Sequence, residues 1–258
     1  PVDILDAEEI AYFRKALENY EKQEGEPITG STRNKSHLLF PWVDELVRHP
    51  KILDPVEDLI GPNILCWNSV WWIKEKNSKS FVSWHQDSRY WGLNTDRLVT
   101  VWLALSQARV ENGCMQVAPG THRGDMLPHQ DNYHNDTMLT RGQEITHGID
   151  QNSVVPMELN AGQISLHNVK LAHTSGRNEG TDRRIGLSIH YIPTDAQQLA
   201  VEWDTATLVR GEDTFRHFTL TPKPFRPFDP EAVKLHERAT QATREIVFKD
   251  AERVRDLI

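Results

Sequence analysis

Between Gly61 and Ile192 the sequence is a succession of short segments rich in aromatic and β-branched residues, separated by turn signals such as Glu-Asn-Gly and Ala-Pro-Gly. The longest segment covers 64–73, and residues of this kind favour extended strands. Many short strands joined by Gly, Asn and Pro turns are typical of a sandwich or barrel. We therefore predict a mainly β core, with strands at 64–73, 81–87, 98–108, 114–118, 157–159, 163–167 and 184–192.

Helices are predicted on both sides of the β core. Apolar residues recur at spacings of three and four between Asp6 and Glu24, and Asp6 with Glu9 can cap this helix. A second helical region covers 42–47 and 52–60. No repeat, low-complexity tract or linker divides the 258 residues. We expect one domain, 1–258, with N-terminal helices over 6–60, the β core over about 61–192 and a C-terminal helical segment over 229–258.

The composition argues against several classes of partner. Lysine and arginine number 29 against 37 aspartate and glutamate, which gives a formal net charge of −8, and no basic run is present. Such a chain is poorly suited to nucleic acid or to an anionic membrane surface, and no apolar stretch approaches the ~20 residues of a membrane-spanning helix. Only Cys66 and Cys114 are available for disulfides, and no signal peptide is evident, which favours a reducing, cytoplasmic location.

The tetrapeptide Trp84-His85-Gln86-Asp87 carries two potential metal ligands. On a strand, residues i and i+2 point to the same face, so His85 and Asp87 can reach one metal ion. An imidazole and a carboxylate are two members of the facial triad that binds non-haem iron(II) and leaves coordination positions open. Because His-x-Asp is common by chance, the interpretation depends on a third ligand.

Three later histidines compete for the third position: His167, His173 and His190. We expect residues 163–173 and 184–192 to form an antiparallel hairpin, which would bring a histidine at a strand end close to an arginine of the partner strand. Strand parity does not separate His167 from His173, since they are six residues apart.

An oxygenase of this class must also hold a dicarboxylate co-substrate by its far carboxylate. Arginine suits this role because its planar fork engages a carboxylate bidentately and stays charged. Arg183 and Arg184 are the candidates, and neighbours on a strand face opposite sides, so only one of them can enter the pocket. The hydroxyl of Ser175 can add a hydrogen bond. The spacing to Ser175 and Arg184 favours His173 as the third ligand.

Several motifs together resemble the phytanoyl-CoA dioxygenase family. They are Trp84–Asp87, Val99–Leu105, Glu111–His122 and His173–Ser175 with Arg184, and they occur in order between about Gly61 and Ile192. The resemblance implies a double-stranded β-helix, or cupin-like jelly roll, with flanking helices. It also implies an oxygenase that depends on iron(II) and 2-oxoglutarate and consumes O2.

The resemblance implies roles for individual residues. The implied iron ligands are His85, Asp87 and His173. The implied residues for 2-oxoglutarate are Arg184 and Ser175 at its distal carboxylate, with Trp102 and Lys74 lining the pocket. Halogenating relatives replace the carboxylate ligand with a small residue. The presence of Asp87 therefore favours hydroxylation of an unactivated C–H bond, with release of succinate and CO2.

A small organic metabolite is the expected substrate. Coenzyme A carries several negative charges, and the sequence offers no cluster of basic residues to bind it, so we expect no turnover of acyl-CoA thioesters. Aromatic residues mostly fill β cores, but the candidates for a substrate wall are Trp71, Tyr90, Trp91 and Arg89. An anionic group on the substrate could pair with Arg89, Arg97, Arg123 or Arg141.

The polar stretch 124–155 lacks a strong period and is predicted to be a long insertion of the kind that forms functional lids. Its histidines and the one just before it are expected to be surface residues or lid contacts: His122, His129, His134 and His147.

Two other classes of protein could use the same ligands. A non-catalytic metal-binding jelly roll would need no dicarboxylate pocket. A zinc hydrolase would need a positioned general base and would be indifferent to O2. Oxygen dependence separates these alternatives from the oxygenase.

Overall fold

The computed structural model describes residues 1–251 and 253. Its helices are α1 (Ala7–Glu24), α2 (Pro41–Val47), α3 (Pro50–Ile60), α4 (Ser88–Trp91) and α5 (Pro230–Phe248). Its strands are β1 (Val2–Asp3), β2 (Ile64–Lys74), β3 (Val82–His85), β4 (Val99–Ala104), β5 (Met115–Val117), β6 (His129–Asp131), β7 (Gln143–Ile145), β8 (Val155–Pro156), β9 (Gln163–Asn168), β10 (His173–Ser175), β11 (Arg184–Pro193), β12 (Thr205–Arg210) and β13 (Thr219–Leu220). Within this described part, no helix combines the length and apolarity needed to cross a bilayer.

The strands form two main sheets. The larger has the order β1-β9-β4-β11-β2-β12-β13 and the smaller has the order β3-β10-β5-β8. All their pairings are antiparallel except β12 with β13. Residues of both sheets line one central cavity. The predicted fold, a mainly β jelly roll with flanking helices, is confirmed.

The pairing of β2 with β11 decides which side chains enter the cavity. Lys74 is opposite Arg184, and Trp72 is opposite Gly186. Because successive side chains alternate between faces, Trp72 and Ser188 line the cavity. Their sequence neighbours Trp71 and Leu187 belong to the hydrophobic core on the other face.

The helices α1, α2 and α3 cover that other face. Phe13 and Leu17 of α1 pack in one buried cluster with Val43 of α2, Ile52 of α3 and the sheet residue Leu187. The predicted cap is present: the Asp6 carboxylate accepts from the Glu9 N–H, and the Glu9 carboxylate accepts from the Asp6 N–H. The helix expected at the C-terminus is α5, which ends at Phe248; residues 252 and 254–258 of the predicted segment lie outside the described residues.

The expected hairpin between 163–173 and 184–192 is wrong. β9 ends at Asn168, and the chain turns there before β10 begins at His173 in the other sheet. The turn is held by the Asn168 side chain, whose Oδ1 accepts from the Lys170 N–H at 3.0 Å. β11 pairs instead with β2 and β4.

Two further strand predictions differ from the structure. The sheet continues beyond residue 192 with β12, which pairs with β2. The segment predicted as a strand at 157–159 contributes only a single bridge, Leu159 to Ala108. The stretch 124–155 contains the small hairpin β6–β7, so it is less irregular than its composition suggested.

Candidate metal centre

Three side chains meet at the end of β3. One ligand atom from each of His85, Asp87 and His173 lies within 4.8 Å of the others. His85 and His173 are paired across β3 and β10, with ring centroids 4.1 Å apart. The His85 Nε2 atom is 3.3 Å from Asp87 Oδ1. These distances allow one ion to contact all three residues.

Asp87 reaches the centre by a different route from the one predicted. The strand stops at His85, and Asp87 has helical backbone angles (φ −63°, ψ −38°) just before α4. The side chains of His85 and Asp87 therefore converge because the chain turns immediately after His85. They do not lie on one face of a continuous strand, as the sequence had predicted.

Both imidazole rings are oriented by backbone carbonyl groups. Nδ1 of His85 donates to the Ser83 carbonyl, and Nδ1 of His173 donates to the Leu171 carbonyl, both at 2.9 Å. A carbonyl oxygen only accepts, so each Nδ1 carries a proton, and Nε2 is the ring nitrogen left to bind a metal ion. Burial and the neighbouring His85 lower the pKa of His173 to about 4, which keeps its ring in the neutral form that binds metals.

The carboxylate of Asp87 stays ionised. Burial would raise its pKa, but the hydrogen bond with His85 and the surrounding histidines together lower the pKa below its ordinary value. Among the described residues its ion-pair partner is His85, with no lysine or arginine against it. Two imidazoles and one ionised, largely buried carboxylate fit the donor set of non-haem iron(II).

Gln86 and His129 hold the backbone between the two candidate ligands His85 and Asp87. The Gln86 N–H donates to Nε2 of His129 at 3.0 Å, while Nδ1 of His129 donates to the Leu127 carbonyl at 2.7 Å. The Gln86 amide donates to the Lys170 carbonyl at 2.7 Å and accepts from the Leu127 N–H at 2.8 Å. His129, which the sequence predicted as a surface or lid contact, thus supports the centre without being a ligand.

The competing histidines line the cavity but lie outside the ligand cluster. The His167 ring is 5.0 Å from that of His173 between centroids, and the His190 ring is 4.5 Å from that of Trp91. Neither ring nitrogen of His167 has a hydrogen-bond partner, and Nδ1 of His190 has none. Burial lowers their pKa values to about 3 and about 4, so both are neutral.

Arg184 enters the same cavity from β11 and is 2% exposed. Its Nη1 donates to the Gly113 carbonyl at 2.6 Å and its Nη2 to the Trp72 carbonyl at 3.3 Å, whereas Nε has no partner. The guanidinium carbon lies 5.3 Å from the Trp102 ring centroid. A Cβ at Gly186 would lie 2.0 Å from the Trp102 ring, so glycine is required there to admit the indole.

Lys74 lies behind Ser175 and does not itself line the cavity. Its ammonium nitrogen donates to the Ser175 hydroxyl at 2.7 Å and to the Gly176 carbonyl. Burial, and then the neighbouring Arg184, lower the pKa of Lys74 to about 6. Arg183 points away and pairs with Glu21 and Glu75. The structure thus brings Arg184, Ser175 and Trp102 to the cavity and places Lys74 one hydrogen bond away.

The predicted substrate wall needs correction. Trp91 lines the cavity. Trp71 does not, because it lies on the helix-facing side of β2, where its Nε1 donates to the Ser36 hydroxyl at 3.0 Å. Tyr90 is buried beneath Arg141, whose guanidinium carbon is 5.0 Å from the phenol ring centroid. Arg89 is exposed at the surface.

None of the arginines proposed to meet a substrate anion lines the cavity. Arg97 pairs with Asp195 at the surface, and Arg141 pairs with Asp131. Arg89 and Arg123 are exposed. The lining arginine besides Arg184 is one that the sequence did not single out, Arg33. The cavity is also lined by Trp72 and by Thr243, Ile246 and Val247 of α5, which were likewise missed.

Residues 2–186 match the model of the phytanoyl-CoA dioxygenase family. The chain is 31% identical over 190 residues to a probable alpha-ketoglutarate-dependent hypophosphite dioxygenase of Stutzerimonas stutzeri, covering 70% of this chain and 63% of the relative. It is 29% identical over 201 residues to peroxisomal phytanoyl-CoA dioxygenase of Bos taurus, covering 70% of this chain and 58% of the relative. It thus spans about three fifths of the length of these curated relatives.

A solved structure resembles almost the whole chain. The apo form of ThoJ, described as a non-heme monooxygenase, superposes with a TM-score of 0.85 at 32% identity, covering 96% of this chain and 93% of that one. Together with a family match over residues 2–186, this agreement confirms the resemblance found in the sequence motifs. The chain belongs to the phytanoyl-CoA dioxygenase family, whose members are iron(II)- and 2-oxoglutarate-dependent oxygenases.

Proposed function

We propose that this protein is an iron(II)- and 2-oxoglutarate-dependent dioxygenase that hydroxylates an unactivated C–H bond of a small organic metabolite, releasing succinate and CO2. The observation that carries the proposal is one cavity that holds both the His85–Asp87–His173 cluster and a buried arginine, Arg184, which has no acidic partner in the part of the chain that the structure describes. Iron(II) held by the cluster, with 2-oxoglutarate and O2, would supply the oxidant and the hydroxyl oxygen.

The ligand residues have defined tasks in this proposal. His85 and His173 can direct Nε2 toward the metal ion because their Nδ1 protons are engaged by carbonyl groups. Asp87 supplies one negative charge. Three protein ligands leave positions for a chelating co-substrate and for O2. The small residue that would signal a halogenase is absent, because Asp87 occupies that position.

Arg184 is suited to the distal carboxylate of 2-oxoglutarate. Two of its donors are used by carbonyl groups, and the buried charge is not neutralised by any described acidic side chain. Ser175 lines the cavity beside it, and Lys74 donates to the Ser175 hydroxyl, which orients that oxygen. Trp102 lies against the guanidinium and closes this end of the pocket to water.

The part of the cavity that we assign to the substrate is lined by both aromatic and polar side chains. Trp67 and Trp91 form one wall, with ring centroids 5.4 Å apart, and His190 lies against Trp91. Relatives in the same family carry names that refer to substrates as different as hypophosphite and phytanoyl-CoA. The family match therefore leaves the substrate open, and we propose a small molecule instead of an acyl-CoA thioester.

Both cysteines are free and buried in the structure. Burial raises the pKa of Cys114 to about 11, so its thiol is not a nucleophile at neutral pH. Two unpaired thiols support the proposal of a reducing, cytoplasmic compartment.

The test is an anaerobic titration of the apoprotein with iron(II) and then 2-oxoglutarate, followed by the weak visible charge-transfer absorption of the chelate. We expect a saturable band at one equivalent that is lost in His173→Ala and kept in His147→Ala, a change at an exposed histidine. Admission of O2 should then release succinate. No band, together with tight zinc binding, would instead favour a hydrolase or a non-catalytic metal-binding protein.

A further inference from the structure

Arg33 reaches the central cavity from the N-terminal part of the chain. It ends the 3-10 turn Gly30–Arg33, and its Nε donates to the Trp71 carbonyl at 2.6 Å. Its Nη1 makes a longer hydrogen bond of 3.4 Å to the Met138 carbonyl. The guanidinium lies over the Trp72 ring, 4.3 Å from its centroid. These contacts fix the plane of the group and leave Nη2 without a protein acceptor among the described residues.

No acidic side chain of the described residues, 1–251 and 253, forms an ion pair with Arg33. The acidic residue that lines the cavity is Asp87, which belongs to the metal centre. Two other deeply placed cations of this region are paired, Lys35 with Asp204 at 3.8 Å and Arg141 with Asp131 at 2.6 Å, whereas Arg184 and Lys74 lie at the end of the cavity proposed for 2-oxoglutarate. Carbonyl oxygens and an aromatic face solvate a guanidinium partly but do not neutralise it.

The charges of the loaded cavity can be counted under the proposed function, on which this inference rests. Iron(II) and Arg184 carry three positive charges, and Asp87 and 2-oxoglutarate carry three negative charges. The charge of Arg33 therefore remains after every other charge is balanced, and any proton taken up by Lys74 would add to the surplus. An uncompensated cation in a water-poor cavity is unfavourable unless an anion joins it.

We propose that Arg33 binds an anionic group of the substrate, a carboxylate or a phosphonate, and that the substrate is therefore a small organic anion. The free Nη2 and the second N–H of Nη1 lie in the plane fixed by Trp72 and suit a two-point contact with two oxygens of such a group. The fixed anion leaves the rest of the substrate to lie along the aromatic wall toward the metal centre.

The experiment uses the protein with iron(II) and saturating 2-oxoglutarate under anaerobic conditions. Propionate and methylphosphonate are titrated in, with propionamide as the neutral probe, and tryptophan fluorescence and the visible band are recorded. We expect saturable binding of at least one anion, no binding of propionamide, and about a 10- to 100-fold loss of anion affinity in Arg33→Gln. The control Arg97→Gln, at an exposed arginine, should bind like the wild type.

Arg33 could bind either the substrate anion or 2-oxoglutarate, and the affinity for 2-oxoglutarate distinguishes these two roles. If Arg33 binds the substrate anion, the affinity for 2-oxoglutarate should change less than about twofold in Arg33→Gln. A loss of 2-oxoglutarate affinity as large as that of Arg184→Gln would assign Arg33 to the co-substrate and overturn the proposal. Equal anion binding by wild type and Arg33→Gln, or no anion binding by the wild type, would also overturn it. Absence of the visible band in the wild type would instead count against the oxygenase itself. In that case, thermal stabilisation of the metal-free protein by the same anions, lost in Arg33→Gln, still tests the role of Arg33.

Discussion

Lys74 and Arg184 are directly opposite each other on the antiparallel strands β2 and β11, and both are almost fully buried. No aspartate or glutamate pairs with either of them in the described part of the chain. Two like charges at this separation in a protein interior repel each other, and the pKa of Lys74 is lowered to about 6, first by burial and then by Arg184. The two cations therefore support the proposal that an anion binds here, since the described residues provide none.

Replacing Arg184 should weaken 2-oxoglutarate binding. The Arg184→Gln variant keeps much of the side-chain volume but loses the charge, and we expect the dissociation constant to rise about 10- to 100-fold, as for a lost charged hydrogen bond. The anaerobic visible titration measures it. The matched control is Arg183→Gln, since Arg183 pairs with Glu21 and Glu75 away from the cavity. A weaker co-substrate complex in the Arg183 variant alone would contradict the assignment.

Binding of 2-oxoglutarate should be coupled to proton uptake by Lys74. With a pKa of about 6, Lys74 is mostly neutral at pH 8, and an anion next to Ser175 favours its charged form and raises the pKa. The complex therefore binds more protons than the free protein, and affinity should increase as the pH falls from 8 toward 6. Calorimetry in buffers of different ionisation enthalpy reports the uptake. Lys74→Met should abolish this uptake, and a wild-type protein that takes up no proton would refute the coupling.

His129 should act as a positioning residue for the metal. Its Nε2 accepts the N–H of Gln86, the residue between two ligands, so His129→Ala frees that backbone. Loss of such an outer contact typically lowers metal affinity about 10- to 100-fold. Iron(II) affinity, measured by competition with a chelator, tests this without turnover. His147→Ala is the control at an exposed histidine of the same segment. Equal affinities in the two variants would show that the contact does not hold the site.

Asp204 should contribute strongly to the stability of the fold, because it is the partner of two buried side chains. It accepts from Nε1 of Trp67 at 2.6 Å and pairs with buried Lys35. Asp204→Ala would leave Lys35 as an unpaired buried charge, which typically costs about 3–5 kcal/mol. Denaturant unfolding measures the difference. The control Lys234→Met breaks an exposed pair with Glu231 and should change stability by less than about 1 kcal/mol. A similar small effect at Asp204 would mean that water reaches Lys35.

The sequence predicted the parts of the site that depend on short-range chemistry. His85 and Asp87 are two residues apart, and the cap of Asp6 on α1 is local, so both could be found from spacing. Alternation along a strand predicted that only one of Arg183 and Arg184 enters the pocket, and the resemblance to the family pointed to Arg184. The structure places Arg184 on the cavity side.

The rest depended on strand register and on distant segments. Trp71 and Trp72 are neighbours with the same chemistry, and only the pairing of β2 with β11 decides that Trp72 enters the cavity. Arg33 comes from a turn before the β core, and no local pattern points to its position over Trp72. The turn at Asn168 was missed because the residues around it read as a continuation of β9.

Because α5 is the last helix of the described residues, its part of the cavity wall is synthesised after all three candidate metal ligands. Thr243, Ile246 and Val247 line the cavity, whereas the last ligand, His173, lies about seventy residues earlier in the sequence. At roughly 5–20 residues per second, synthesis of that stretch takes about 4–14 s. A chain emerging from the ribosome therefore carries every metal ligand before it carries the wall that closes over them. The side of the cavity that α5 lines is therefore still open when the last candidate ligand, His173, has been synthesised.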